Sequence, residues 1–186
     1  MISLISILLF VLAGIITFYF FAGFLWGAGY APTSSSEIDN IAKLLDLKEG
    51  DTFHDLGCGY GRIIFAMAER YHVNAVGIEA DPVKCSWIRF MIRRKKLQDR
   101  VKLIQSDFFK VNLDETRNIF IFLSKVGNIM ERLKEKALRE MKPGTHIVSY
   151  IHTFDNWKPE KKLGSLYLYE ISAQENKSNK LEPSAL

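Results

Sequence analysis

Polar and apolar positions fall into two regimes along the chain. From Ile2 to Trp26 it reads ISLISILLFVLAGIITFYFFAGFLW, and no charged side chain occurs before Glu37. Twenty helical residues at about 1.5 Å each cross a hydrocarbon core of about 30 Å, so residues 1–28 are expected to form a transmembrane anchor. A cleaved secretory signal would need a positive n-region, an apolar run of about 7–15 residues and a small-x-small site, none of which the sequence offers. Residues 29–36, rich in Gly, Ala, Pro and Ser, read as a linker. Beyond them the apolar positions recur at short periods. Ser34 followed by Glu37 has capping-box spacing, and Ile38, Ile41, Leu44 and Leu45 form one stripe, predicting a helix to Leu47. Short strands are predicted at residues 51–56, Asn74–Glu79, 101–106, 118–123, 146–151 and 165–172. Helices are predicted from Ile63 to Tyr71, from Pro82 to about Lys96, and from Asn128 to Glu140. Strands separated by helices imply parallel pairing with right-handed crossovers. The expected fold is α/β, with a doubly wound, mostly parallel sheet over residues 37–172 preceded by one N-terminal transmembrane helix. Residues 173–186 read as a disordered tail, in which the triplet Asn176-Lys177-Ser178 matches a glycosylation sequon that a cytoplasmic location would leave unmodified.

Charge refines this division. All 25 basic and 21 acidic residues lie beyond position 36, so the C-terminal part carries the whole formal charge of +4. At 186 residues the chain can bury one good core. Lys43, Lys48 and Arg62 come after the apolar stretch and no Lys or Arg precedes it. The positive-inside bias therefore places the C-terminal part in the cytoplasm, or in the matrix if the protein is mitochondrial. The densest basic cluster, Arg89 with Arg93-Arg94-Lys95-Lys96, falls on a predicted helix and reads first as a solvated face, with lipid headgroups or nucleic acid as alternatives. Cys58 and Cys85 have no disulfide or metal spacing, and His54, His72, His146 and His152 fit no ligand pattern, so no metal is expected.

The candidate chemistry starts at FHDLGCGYGRI, residues 53–63. Gly57, Gly59 and Gly61 sit where a strand would feed a helix, the place at which doubly wound sheets bind ligands. Glycine permits positive φ and lets backbone approach a ligand closely. The spacing is G-x-G-x-G, one residue shorter than the dinucleotide fingerprint. Asp55 just ahead would oppose a pyrophosphate and favour an ammonium or sulfonium. Glu79, eighteen residues after Gly61, closes the second strand, where a carboxylate can accept both hydroxyls of a ribose. Ser106-Asp107-Phe108-Phe109 after the third strand offers an acceptor for an adenine amino group and a ring to cover the base.

In that order these features resemble S-adenosylmethionine-dependent methyltransferases of the Rossmann-like class, from about Tyr30 to Ser172. The similarity extends to the small archaeal protein-lysine methyltransferases and the membrane-anchored mitochondrial lysine methyltransferases of eukaryotes. It rests on Tyr30-Ala31-Pro32-Thr33, on residues 55–63, on Gly77-Ile78-Glu79 and on Ser106-Asp107-Phe108-Phe109. The resemblance implies S-adenosylmethionine as cofactor: Asp55, Gly57 and Gly59 at the methionine end, Glu79 at the ribose, and Asp107 with Phe108 at the adenine. By the same resemblance Gly61 would complete the turn, and the segment containing Thr33 would fold over the cofactor and border the acceptor channel. Tyr60 departs from the acidic residue frequent between the last two glycines of such turns, and residues 156–164 are short for the usual sixth strand.

Residues after the fourth strand narrow the acceptor. Enzymes that methylate adenine amino groups or glutamine amides carry an Asn/Asp-Pro-Pro-aromatic turn there, whereas this chain has Leu123-Ser124-Lys125-Val126. A planar nitrogen is disfavoured and a lysine amine fits, with Tyr30 as the candidate for orienting it by accepting a hydrogen bond, the alternative being that Tyr30 is an interfacial anchor of the apolar span. From Trp26 to Ser34 the chain reaches at most about 27 Å, which would hold the site near the bilayer. The expected partners are a membrane, through the N-terminal helix, and a membrane-associated protein presenting a lysine, with no nucleic acid. A lipid or quinone methyltransferase, a non-enzymatic cofactor-sensing membrane module and an NAD-dependent dehydrogenase are the alternatives. The last is disfavoured by the glycine spacing and by the absence of a substrate domain.

Overall fold

The computed structural model describes residues 3–25, 35–123 and 126–173. Its first element is helix α1, Leu4–Leu25, whose start is capped by Ser3 accepting at Oγ from the Ser6 amide. Side chains of α1 are described as far as Phe18, and all of these are exposed. Among the described residues no helix is long and apolar enough to cross a membrane. The helix described with side chains, Leu4 to Phe18, extends only about 22 Å at about 1.5 Å per residue. The fold therefore does not establish the transmembrane segment expected over residues 1–28. Tyr30, Thr33 and Ser34, and the tail from residue 174, lie outside the described residues.

Helix α2, Ser35–Leu44, opens the α/β body. It ends three residues earlier than its apolar stripe predicts, because Asp46 turns left-handed (φ 47°). The Asp46 amide then donates to the Lys43 carbonyl and the Leu47 amide to the Ala42 carbonyl, which satisfies the last carbonyls of the helix. Next come β1 (Thr52–Leu56), α3 (Arg62–Tyr71), β2 (Asn74–Glu79), α4 (Pro82–Lys95), β3 (Val101–Gln105), β4 (Asn118–Ile121), α5 (Ile129–Glu140), β5 (His146–Tyr150), β6 (Lys161–Leu163) and β7 (Leu166–Glu170). Between β3 and β4 the chain makes a 3-10 turn, Phe108–Lys110, and a further turn closed by the Thr116 amide donating to the Leu113 carbonyl. Helix α4 begins where sequence chemistry demands: Asp81 accepts from the Val83 and Lys84 amides and Pro82 occupies the first turn.

The seven strands form one sheet in the order β3-β2-β1-β4-β5-β7-β6. The first five are parallel, and β7 runs antiparallel to β5 and β6. The doubly wound, mostly parallel expectation holds, and the short stretch at 156–164 does supply a strand, three residues long, on the sheet edge. Helices α2 and α3 with Ile88 of α4 pack one face over Phe53, Ala75, Phe120 and Val148. Helix α5 covers the other over Leu56, Ile119, Ile121 and Tyr169. Because strands β1 to β5 are parallel, their carboxyl ends lie along one edge, and the motif residues gather there.

Candidate active site

The turn between β1 and α3 is made of backbone conformations that side chains resist. Gly57, Gly59 and Gly61 all have positive φ, at 81°, 57° and 79°. The turn is pinned to β2 by the Gly57 and Cys58 amides, which donate to the Ile78 carbonyl at 2.8 and 3.1 Å. The three glycines nevertheless differ in purpose. A Cβ on Gly61 would stand 2.9 Å from Phe65 Cε2 and 3.2 Å from Ile88 Cγ1, so this glycine lets α3 and α4 close on the sheet. A Cβ on Gly59 would meet nothing within 4 Å, and its backbone borders open space. The same close packing acts through Gly77 of β2, where a Cβ would come within 2.7 Å of Cys58 Sγ. Gly77 carries as much of the local geometry as the motif glycines, but a lone glycine inside a strand pattern gives only a weak sequence signal.

Asp55, at the carboxyl end of β1, is buried, and no described group donates to its carboxyl. Burial, with the nearby Glu79 charge adding to it, pushes its pKa up to about 8. Such a carboxyl is neutral near pH 7, and a cation placed beside it would favour its ionised form. Glu79 is tied down: Oε2 accepts from the Gly59 amide at 2.9 Å, and Oε1 from the Ala80 and Asp81 amides at 3.0 Å each. Three of a carboxylate's roughly four lone-pair sites are thereby in use. A bidentate grip on a diol needs one of these amides to let go, and Gly59 is the donor residue whose Cβ position borders open space.

After β3 the Ser106 amide donates to the Glu79 carbonyl, and exposed Asp107 caps the 3-10 turn by accepting from the Phe109 amide at 2.9 Å. The rings of Phe108 and Phe109 lie 4.5 Å apart. The Arg132 guanidinium stands 4.2 Å over the Phe109 ring, so Phe109 already has a partner on one face. Asp55, Gly59, Glu79, Asp107 and Phe108 are thus brought to one edge. Gly57 belongs to the same turn, where its Cβ would approach Leu123 Cδ2 at 3.4 Å, while Gly61 sits beneath it. The two thiols are free and buried, and burial raises both pKa values, so neither is primed as a nucleophile. Among the described residues no cluster could hold a metal.

The carboxyl ends of β4 and β5 supply a second wall. Phe122 and Tyr150 meet edge to face with centroids 4.9 Å apart. Next to them Ile151 has φ 70°, and the His152 amide donates to the Tyr150 carbonyl at 2.9 Å, closing a γ-turn around it. A β-branched residue in this region is an outlier whose strain must be held by its surroundings. Here the buried Ser149 hydroxyl donates to the His152 carbonyl at 2.5 Å and the Ile151 amide to the Ser165 carbonyl at 2.7 Å. The chain beyond is fixed by the triangle of Phe154, Trp157 and Tyr169, with centroids 4.9 to 5.1 Å apart. Ile151 is invisible to pattern reading, because apolar alternation in HIVSYI says nothing about φ.

The strand order, with β7 antiparallel between β5 and β6, and the glycine turn after β1 together define a Rossmann-like methyltransferase fold. The family model for the ANTKMT methyltransferase domain matches residues 55–161, from the acid of the glycine turn to the start of β6. The chain belongs to the ANTKMT methyltransferase family. A protein-lysine N-methyltransferase of Saccharolobus islandicus (strain REY15A) is 30% identical over 151 residues, which cover 76% of this chain and 92% of that protein. The adenine nucleotide translocase lysine N-methyltransferase of Mus musculus is 27% identical over 135 residues, covering 73% of this chain and 58% of the relative. Among solved structures, an RNA methyltransferase from Salinibacter ruber in complex with S-adenosyl-L-homocysteine has a TM-score of 0.71 at 27% identity, covering 77% of this chain and 95% of that one. The resemblance to lysine methyltransferases read from the motifs therefore extends across the α/β body of this ANTKMT-family chain.

Proposed function

We propose that the protein is an S-adenosylmethionine-dependent methyltransferase that modifies lysine side chains of proteins at a membrane. The observation that carries the donor assignment is the buried Asp55 carboxyl, to which no group donates among the described residues, set beside the open side of Gly59 and the carboxylate of Glu79. That arrangement fits a cationic nucleoside: Asp55 with Gly57 and Gly59 would hold the ammonium end, Glu79 the ribose, and Asp107 with Phe108 the adenine. When bound, S-adenosylmethionine supplies an electrophilic methyl group on a sulfonium. The protein's own part is alignment, the main source of rate in an in-line displacement. Asp55 loses its proton to solvent as a cation arrives, and Glu79 trades the Gly59 amide for hydroxyl donors.

On the acceptor side a lysine amine, with an ordinary pKa near 10.4, must shed a proton, which costs roughly 4 kcal/mol at neutral pH. An apolar channel beside a positive charge lowers that cost by disfavouring the ammonium. Phe122, Leu123, Tyr150 and Ile151 line the edge where such a channel would run, with Tyr30 as the group that orients the amine. The kinship with protein-lysine methyltransferases, one of them covered over 92% of its length, supports lysine as the acceptor.

Membrane attachment is the further part of the reading. Helix α1 has 22 residues with no charged side chain, about 33 Å of helix, and every side chain described along it is exposed. The support for a single-pass anchor, with the α/β body on the cytoplasmic or matrix side, is the uncharged apolar run from Ile2 to Trp26 of the sequence, which extends beyond the described side chains of α1. The test is to incubate the detergent-solubilised full chain with methyl-labelled S-adenosylmethionine and separated membrane-protein, soluble-protein, lipid and RNA fractions. Label on lysines of membrane proteins is expected. Label confined to lipid, or to RNA as for the Salinibacter ruber relative, would overturn the acceptor. Absence of S-adenosylhomocysteine binding by calorimetry would overturn the donor.

A further inference from the structure

Helix α4 buries one side and leaves another bare. Cys85 and Ile88 are fully buried beneath it, as the packing of α4 on the sheet requires. On the outer side Val83, Trp87 and Phe90 are 56%, 48% and 53% exposed, and the Trp87 and Phe90 rings lie 5.9 Å apart. These positions are i, i+4 and i+7, and Arg94 continues the row at i+11, so the four share one stripe along the helix. The other basic residues of α4 are partly committed: Lys84 faces Asp81, Arg89 donates to Gln105 and Lys95 pairs with Glu69. Arg93, Arg94 and Lys96 are exposed and enter no ion pair among the described residues. The basic cluster of the sequence thus resolves into an apolar, aromatic row with free cations at one end.

We propose that this face of α4 lies on the surface of an anionic bilayer. Tryptophan suits the headgroup boundary, where its ring can be buried while the indole N–H stays wet, and phenylalanine and valine add apolar area beside it. Arg94 at the end of the row, with exposed Arg93 beside it on the flank of the helix, matches acidic lipid headgroups, each adding attraction within a Debye length of the surface. The proposal rests on the anchored reading of α1. From Leu25 to Ser35 the backbone spans at most about 34 Å, so a domain tethered there meets the bilayer at high effective concentration and a modest patch suffices. A row of three side chains is small for a stable protein interface, whereas a tethered bilayer contact needs no large area. Val83 follows Glu79 and Asp81 at the site edge of the sheet, so seating α4 flat brings the catalytic edge alongside the membrane. The enzyme would then reach lysines within a side chain's length of the surface.

Because Cys58 and Cys85 are buried, single new thiols can be spin-labelled in the full chain: V83C, F90C and, as a control on exposed Glu135 of α5, E135C. Each is reconstituted into phosphatidylcholine vesicles with and without phosphatidylglycerol, and insertion of the anchor is read separately by flotation after carbonate extraction. With the anionic lipid, labels at 83 and 90 should become several-fold less accessible to a water-soluble nickel chelate and more accessible to oxygen than the label at 135. The difference should shrink in pure phosphatidylcholine and in high salt. Flotation with labels at 83 and 90 as nickel-accessible as the control would overturn the docking while leaving the anchor standing. Failure to float would overturn the anchor and the docking together. Shielding that needs an added membrane protein, or that tracks protein concentration as self-association would, would also overturn the bilayer as the occupant.

Discussion

The two halves of the site edge are built by different means. At the ends of β1 and β2 the geometry is written in residue types: three glycines at positive φ, a buried acid and a strand-closing carboxylate clamped to amides. At the ends of β4 and β5 it is imposed by context, with an isoleucine forced to φ 70° by hydrogen bonds from Ser149 and to Ser165. Where a backbone conformation excludes most side chains, the sequence must announce it. Where surrounding structure holds an unfavourable conformation, any residue can sit there silently. A site of the first kind is legible in the sequence, and one of the second kind is free to vary under one fold.

The comparison breaks most sharply within the glycine turn. Gly61→Val adds two constraints at once, a positive φ that valine resists and a Cβ 2.9 Å from Phe65. A loss of about 3 kcal/mol is expected, or roughly 10 °C in Tm. Cofactor affinity should fall only to the extent that the protein unfolds. Gly59→Ala has the converse profile: about 1 kcal/mol of stability for the left-handed conformation, but a loss in S-adenosylhomocysteine affinity of at least about tenfold, or about 1.4 kcal/mol, because the new methyl enters the open side. Thermal denaturation and calorimetry on both variants check this. If Gly59→Ala binds normally, the open side is not where the ligand lies.

Next in size is the charge of Asp55. With its pKa raised to about 8 in the ligand-free protein, the carboxyl is protonated at pH 6, and a cationic ligand must drive the proton off. Affinity should therefore rise with pH, about tenfold from pH 6 to 7 and less steeply to pH 8. Asp55→Asn should be flat across the same window and bind about 100-fold more weakly at pH 8. The sign for stability is opposite. A raised acid pKa means the native state holds the proton longer, so the ligand-free fold loses stability as pH rises from about 4 to 8. Asn removes that slope. Calorimetry in buffers of different ionisation enthalpy would count the released proton, and an unchanged proton count in the variant would exclude Asp55 as its source.

The same distinction sets how far the sequence can be read. The order of strands and helices is legible because period-2 and period-3.6 apolar patterns are bounded by Asp81-Pro82 and Gly50, and the glycine turn because its residue types are nearly obligatory. The reversal of β7 is not legible, since SLYLYEIS has the same alternation in either direction. Nor is the division of labour between Gly59 and Gly61, which depends on Ile88 arriving from another helix. The early end of α2 is hidden because Asp46 takes a left-handed conformation that asparagine and glycine adopt more readily. The strand at Lys161–Leu163 escapes pattern reading because three residues carry no periodicity.

The smallest expected effect sharpens the comparison from the acceptor side. Ile151→Gly removes the conflict between a β-branched side chain and φ 70°, a strain of order 1 kcal/mol, while returning a similar amount as entropy of the unfolded chain. Stability should change by less than about 1 kcal/mol in either direction, and cofactor affinity should be unchanged, because the residue is on the other side of the edge from Gly59 and Glu79. The acceptor should respond instead: without the exposed isoleucine beside Tyr150, KM for a lysine peptide should rise a few-fold with kcat nearly constant. Ile151→Asn separates the two contributions, since asparagine accepts positive φ and restores a side chain of intermediate size without the apolar surface. If both variants leave KM untouched, the strained turn serves only to redirect the chain toward the Phe154, Trp157 and Tyr169 triangle. The acceptor wall would then be confined to Phe122, Leu123 and Tyr150.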